Sequence, residues 1–96
     1  MTTLDDVRRS YRAAFLRYLA RGDEAPLHSG YELGRSAVAG DINLLQLAHV
    51  HHEILIESLE NTREADVTAV ATAASEFLLE VLAPYDMTQR GFRDGG

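Results

Sequence analysis

The sequence predicts an all-α fold, a four-helix domain made of two helical hairpins and forming a homodimer. Three observations carry this. Ala and Leu, both strong helix formers, number thirteen each in 96 residues. Trp is absent and aromatic residues make up only 7% of the chain, which argues against a β-rich fold. Apolar residues recur at three- and four-residue steps in four stretches separated by Gly, Pro or polar turns.

The first helix is expected over residues 4–20, with Thr3 as N-cap and Asp6 completing a capping box. Leu4, Val7, Tyr11, Phe15, Tyr18 and Leu19 form one stripe; Arg8, Arg9, Arg12 and Arg17 fall on the other side, and Gly22 stops the helix. The second begins near Asp23, with acids and Pro26 in its first turn. Its stripe is Leu27, Tyr31, Gly34 and Val38. Gly30 and Gly34 cost about 1 kcal/mol each inside a helix, so sharing one face points to a close helix–helix approach. Gly40 is expected as a left-handed cap.

The third helix is expected after Asp41 as N-cap. Ile42, Leu45, His49, His52, Ile56 and Leu59 keep a 3-4-3-4-3 spacing, and Leu44, Leu47, Ala48, His51 and Leu55 form a second band beside it. A helix apolar around so much of its circumference should be the most buried of the four. Residues 61–66 make a polar turn. The fourth helix then runs from about 67 to at least 82, with Val67, Val70, Ala74, Phe77, Leu78, Val81 and Leu82 in a broad stripe. Pro84 should kink or end it. Residues 1–87 thus form the domain, and 88–96 read as a linker to an output domain outside this chain.

Apolar residues on two sides of the last two helices exceed what one small bundle needs, and a homodimer would cover the surplus. Val67, Val70, Ala74, Phe77, Leu78 and Val81 are the candidate dimer interface. The net charge of −6 divides unevenly, as +1 over residues 1–40 (six Arg, five acids) and −7 over residues 41–96 (three Arg, ten acids). The arginines of the first helix are therefore available to meet acids of the last two, within or across a dimer.

Composition and motifs exclude several kinds of chemistry. No cysteine is present, so disulfides, thiolate metal sites and cysteine nucleophiles are absent. The acidic balance is wrong for a nucleic-acid binder. No stretch approaches about 20 apolar residues, and the N-terminus lacks signal-peptide regions, so no membrane partner is expected and a soluble, cytoplasmic location is. No serine sits in a Gly-x-Ser-x-Gly context, and Gly30–Gly34 has neither the Lys nor the preceding strand of a phosphate loop, so an enzyme is not expected. His49, His51, His52 and Glu53 are the densest ionisable cluster. The i,i+3 pair His49 and His52 gives an alternative reading, a helical sensor holding a metal, haem or small ligand. The plainer reading makes His51 a hydrogen-bonded, largely buried histidine and leaves His49 and His52 partly exposed, with no cofactor. On the second helix, Glu24, His28, Glu32 and Arg35 form a polar line flanked by Leu27, Tyr31 and Leu33, the mixture of apolar anchor and polar rim common in partner sites.

Several segments together resemble a known family. They are Tyr11 with Arg17-Tyr18-Leu19-Ala20, Leu27 through Arg35, His49 through Leu55, Glu76-Phe77-Leu78-Leu79-Glu80-Val81, and Tyr85-Asp86-Met87. In order and spacing they resemble the N-terminal domain of RsbU-type serine phosphatases over about residues 4–90. The resemblance implies an all-α homodimer that is itself non-catalytic. It also implies docking of a kinase-fold switch protein, RsbT, that activates a C-terminal phosphatase in stress sigma-factor signalling. In the family this partner docks on a surface including the start of helix two, which falls here on Glu24, Leu27 and His28. The candidate partner-binding residues are therefore Glu24, Leu27, His28, Tyr31, Glu32 and Arg35. The resemblance departs at His28, where the family member compared most directly carries an aromatic.

Overall fold

A computed structural model describes residues 2–95, with side chains for residues 2–88. It contains four α-helices: α1 (Leu4–Arg21), α2 (Glu24–Ala39), α3 (Leu44–Glu60) and α4 (Val67–Gly95), the last entered through a 3-10 turn at Glu64–Asp66. Among the described residues there is no strand, as an all-α fold requires.

Helix α1 begins as its sequence dictates. The Asp6 amide donates to Thr3 Oγ1 and the Thr3 amide to the Asp6 carboxylate, both at 3.1 Å, closing the capping box. These bonds hold the Asp6 carboxyl below its ordinary range. Gly22 ends the helix in the left-handed region at φ 67°. The α2–α3 connection differs from expectation. Gly40 has φ −88° and the left-handed residue is Asp41, at φ 59°. Glycine at 40 answers instead to crowding, because an added Cβ would lie 3.0 Å from the Thr2 Cβ and carbonyl oxygen. The N-cap of α3 is Asn43, not Asp41. Its side chain and that of Gln46 bond each other's amides at 2.8 and 3.0 Å.

The core is centred on Phe77 of α4, which Tyr11 and Phe15 of α1 approach at ring-centroid distances of 5.0 and 5.7 Å. Val7 and Tyr18 of α1, Leu33 and Ala37 of α2, and Leu47, Val50 and Ile54 of α3 complete it. The most extensive contact is between α2 and α4, and its cause is the glycine pair. A Cβ at Gly34 would meet the Val81 carbonyl oxygen at 2.2 Å, and one at Gly30 the Phe77 ring at 3.0 Å. Backbone packs directly on the facing helix, as the shared glycine face predicts.

Two corrections concern the later helices. Helix α4 continues through Pro84 to Gly95 and does not end there. The proline forgoes the amide bond it would give to the carbonyl four residues back. In return its ring is buried, with Cγ 3.1 Å from where a Gly34 Cβ would be. The linker expected from Thr88 is therefore helical in its backbone to Gly95; its side chains from 89 onward lie outside the described residues. By length and composition the stretch Glu64–Thr88, which joins the 3-10 turn to α4, is apolar enough to cross a membrane, at mean hydropathy 1.4, contrary to the expectation that no stretch approaches this. Here its stripe is what the other three helices pack upon, the part a core helix plays.

The second correction is the rotation of α3. Leu47, Val50 and Ile54 face the core, while Leu45 is 70% and Ile56 41% exposed. The 3-4 stripe points outward, and α3 is not the most buried helix. Three contacts from α1 set this rotation: Arg8 Nε to Glu53 at 3.0 Å, Arg12 Nη2 to Glu57 at 2.9 Å, and Tyr11 to His51. The expected meeting of α1 arginines with α3 acids thus occurs within the chain.

Candidate functional site

The close approach of α2 and α4 creates a seam whose edge residues stand around it. Because Gly30 and Gly34 bring the backbones together, Leu27, Tyr31 and Val38 are left half-buried along the rim. Glu24, Leu27, His28 and Tyr31 line a hollow of about 240 Å³ that Glu80 of α4 closes from the other side. Tyr31 and Arg35 then share a second hollow of similar size with Val38, Ala39, Pro84, Met87 and Thr88. Tyr31 is the wall between them, and its hydroxyl lies 3.6 Å from Met87 Sδ.

Five of the six residues singled out on α2 therefore line these two hollows. The sixth, Glu32, lies outside them and is bracketed by His28 Nε2 at 3.9 Å and Arg35 Nη1 at 3.6 Å. Glu24 and Glu80 have no ion-pair partner among the described residues. The surface is thus acidic at one end, apolar around Tyr31, Pro84 and Met87, and basic at Arg35. Glu80, Pro84 and Met87 were not singled out from sequence. The available signal was the glycine pair, since whatever faces Gly30 and Gly34 must flank the same seam.

The candidate dimer residues on α4 separate. Ala74, Phe77 and Val81 are at most 2% exposed within the single chain, so they have no surface to offer a second copy. Their stripe is the core of the bundle. Val67 is 39% exposed and Leu78 half-buried. Val70 lines a cavity of about 400 Å³ with Tyr18, Leu19, Gly22, Asp66, Ala69 and Ala73, where α1 ends beside the start of α4.

His51 is hydrogen-bonded, as the plainer reading has it, but only half-buried. The buried Tyr11 hydroxyl lies 2.6 Å from His51 Nδ1. Burial raises the Tyr11 phenol, so it stays protonated and donates. Burial lowers His51, and the neighbouring His52 adds to this, so the ring is neutral at pH 7 with its proton on Nε2. His49 and His52 are exposed and line a shallow hollow with Leu45 and Ala48. Among the described residues no group of three His, Cys, Asp or Glu side chains is placed to hold a metal ion, so the sensor reading gains no support.

Fold and surface define a class: a small helical module with charged and apolar groups side by side along the α2–α4 seam. The description "phosphoserine phosphatase RsbU, N-terminal domain" matches residues 9–88, and the chain belongs to that family. Membership carries a regulatory role, through protein–protein interaction, in a partner-switching phosphatase of stress-response signalling. No curated protein and no solved structure matches significantly.

Proposed function

We propose that this domain is a soluble, cytoplasmic, non-catalytic homodimer that docks a kinase-fold switch protein of the RsbT type on the α2/α4 surface. Docking activates a serine phosphatase or other output domain joined beyond residue 87. The observation that carries this reading is that Glu24, Leu27, His28 and Tyr31 share one hollow with Glu80. These side chains supply an apolar anchor and unpaired charge side by side, the composition of a partner site. Apolar surface left uncovered on the single chain supports the homodimer.

The test is calorimetric binding of this domain to a kinase-fold switch protein of the RsbT type from the same organism. Charge reversal of exposed Glu24 (Glu24→Lys) should weaken binding at least tenfold while leaving helical content unchanged. Wild-type affinity in that variant would remove the start of α2 from the docking surface, and no binding by the wild type would remove the partner.

A further inference from the structure

The outward face of α3 is not used by the docking surface on α2 and α4. Leu45, His49, His52, Ile56 and Leu59 repeat at steps of four, three, four and three, the interval at which one helix meets another along a seam. Yet the bundle turns this stripe to solvent: Leu45 is 70% exposed, Ile56 41%, and both histidines are exposed. Ala48 beside them leaves a shallow groove.

Three features select a second copy of this chain as the occupant. The stripe reads Leu-His-His-Ile-Leu in one direction and Leu-Ile-His-His-Leu in the other. An antiparallel copy therefore sets leucine on leucine at both ends and His52 on its own counterpart at the centre, the self-complementarity that a twofold interface needs. Charge agrees. Two chains of net charge −6 repel, but here the flanking acids Glu53 and Glu57 are already neutralised by Arg8 and Arg12. The α3 ends agree as well. The first turns of α1 and α2 carry acids and that of α3 carries none. The antiparallel register brings Glu60, exposed at the far end of α3, to that bare amino end, where the helix dipole favours a carboxylate.

We propose that the outward stripe of α3 is the face on which two copies of this domain dock, with His49 and His52 inside the contact so that acid separates the copies. The proposal rests on the homodimer reading and assigns that dimer a face and a control. Protonation would put like charges together where His52 meets its counterpart. The groups near these rings are His51 and Glu53 on α3, and Arg8, Arg12 and Tyr11 on α1. The one carboxylate among them, Glu53, is bonded to Arg8, Arg12 is bonded to Glu57, and neutral His51 to Tyr11, so no unpaired counter-charge is supplied.

Sedimentation analysis at pH 7.5 and pH 6.0 tests this with three variants. Wild type should be a dimer at pH 7.5 whose Kd rises about tenfold or more at pH 6.0, the expected scale when two or more histidines must be neutral for the contact to form. Leu45→Glu, at a position too exposed to matter for folding, should be monomeric at pH 7.5 with unchanged helical content. Leu79→Glu, equally exposed on α4, should dimerise like wild type. The double variant His49→Gln/His52→Gln should dimerise at both pH values. A Leu45→Glu chain that dimerises with wild-type affinity overturns the α3 face while the homodimer stands. Loss of the dimer in Leu79→Glu moves the face to α4. Acid dissociation persisting in the double variant overturns the histidine control. A wild-type monomer at every concentration overturns the homodimer reading and this proposal together.

Discussion

His51 ties the stability of this domain to pH. Its ring accepts from Tyr11 across the α1–α3 contact and is held neutral by burial. A histidine with a folded pKa below its unfolded value of about 6.5 contributes stability that is complete above that pH. The contribution is lost as the pH falls below 6.5 through the folded pKa, because the unfolded chain takes the proton first. Thermal melts of wild type should therefore fall in Tm between pH 7.5 and 5.5. His51→Asn, whose amide oxygen can take the place of Nδ1 as acceptor, should flatten that fall. Tyr11→Phe should cost about 1 kcal/mol, the usual net worth of one such bond. The other tyrosine hydroxyls join elements in the same way: Tyr18 donates to Glu76, and Tyr85 to the Ile42 carbonyl at 2.6 Å, fastening α4 to the α2–α3 connection. The Glu76 carboxylate holds the Tyr18 phenol above its ordinary range, and burial does so for Tyr85.

Between elements, the α2–α4 seam depends on two glycines that are not equivalent. A methyl at Gly34 meets a backbone carbonyl, which cannot move without shifting α4; one at Gly30 meets the rim of the Phe77 ring, which can turn slightly. Gly34→Ala should therefore destabilise the domain by about 2 kcal/mol even after the gain of roughly 1 kcal/mol in helix propensity. Gly30→Ala should change stability by less than about 1 kcal/mol, because the two effects nearly cancel. Equal denaturation midpoints for the two alanine variants would show that α2 and α4 are not in backbone contact at Gly34. Opening this seam should also weaken partner binding in Gly34→Ala, since both hollows are formed by the same approach.

For the molecule as a whole, the arrangement of charge matters more than its sum. The +1 of the first 40 residues and the −7 of the rest meet in part as the Arg8–Glu53 and Arg12–Glu57 pairs. Exposed pairs contribute only about 0–1 kcal/mol each, so their value lies in fixing how α3 is turned. A domain of 96 residues with exposed Leu44, Leu45 and Ile56 on one helix gains stability when that surface is covered. Its Tm should rise with protein concentration, as mass action requires of a folded chain that gains stability by pairing with a second copy. A Tm constant over a hundredfold range of concentration would show a chain that is folded and stable alone.

The sequence by itself determined the four helices, the capping box at Thr3 and the glycine face of α2. Each of these follows from local chemistry: spacing, a short polar cap, or a missing Cβ. The tertiary structure decided what local pattern leaves open. Helix α3 is apolar around much of its circumference, and periodicity cannot say which face is buried; the core took Leu47 together with Val50 and Ile54, which lie in neither of the two expected bands. The stripe on α4 could equally have been core or interface, and packing around Phe77 took Ala74 and Val81 into the core. Pro84 carries a helix-ending signal, but burial of its ring against Gly34 lets α4 continue. Glu80, Pro84 and Met87 line the hollows beside α2 only because two glycines some fifty residues away in the chain bring α2 onto α4. A residue's neighbours across a seam are set by packing between distant segments, which local spacing does not encode.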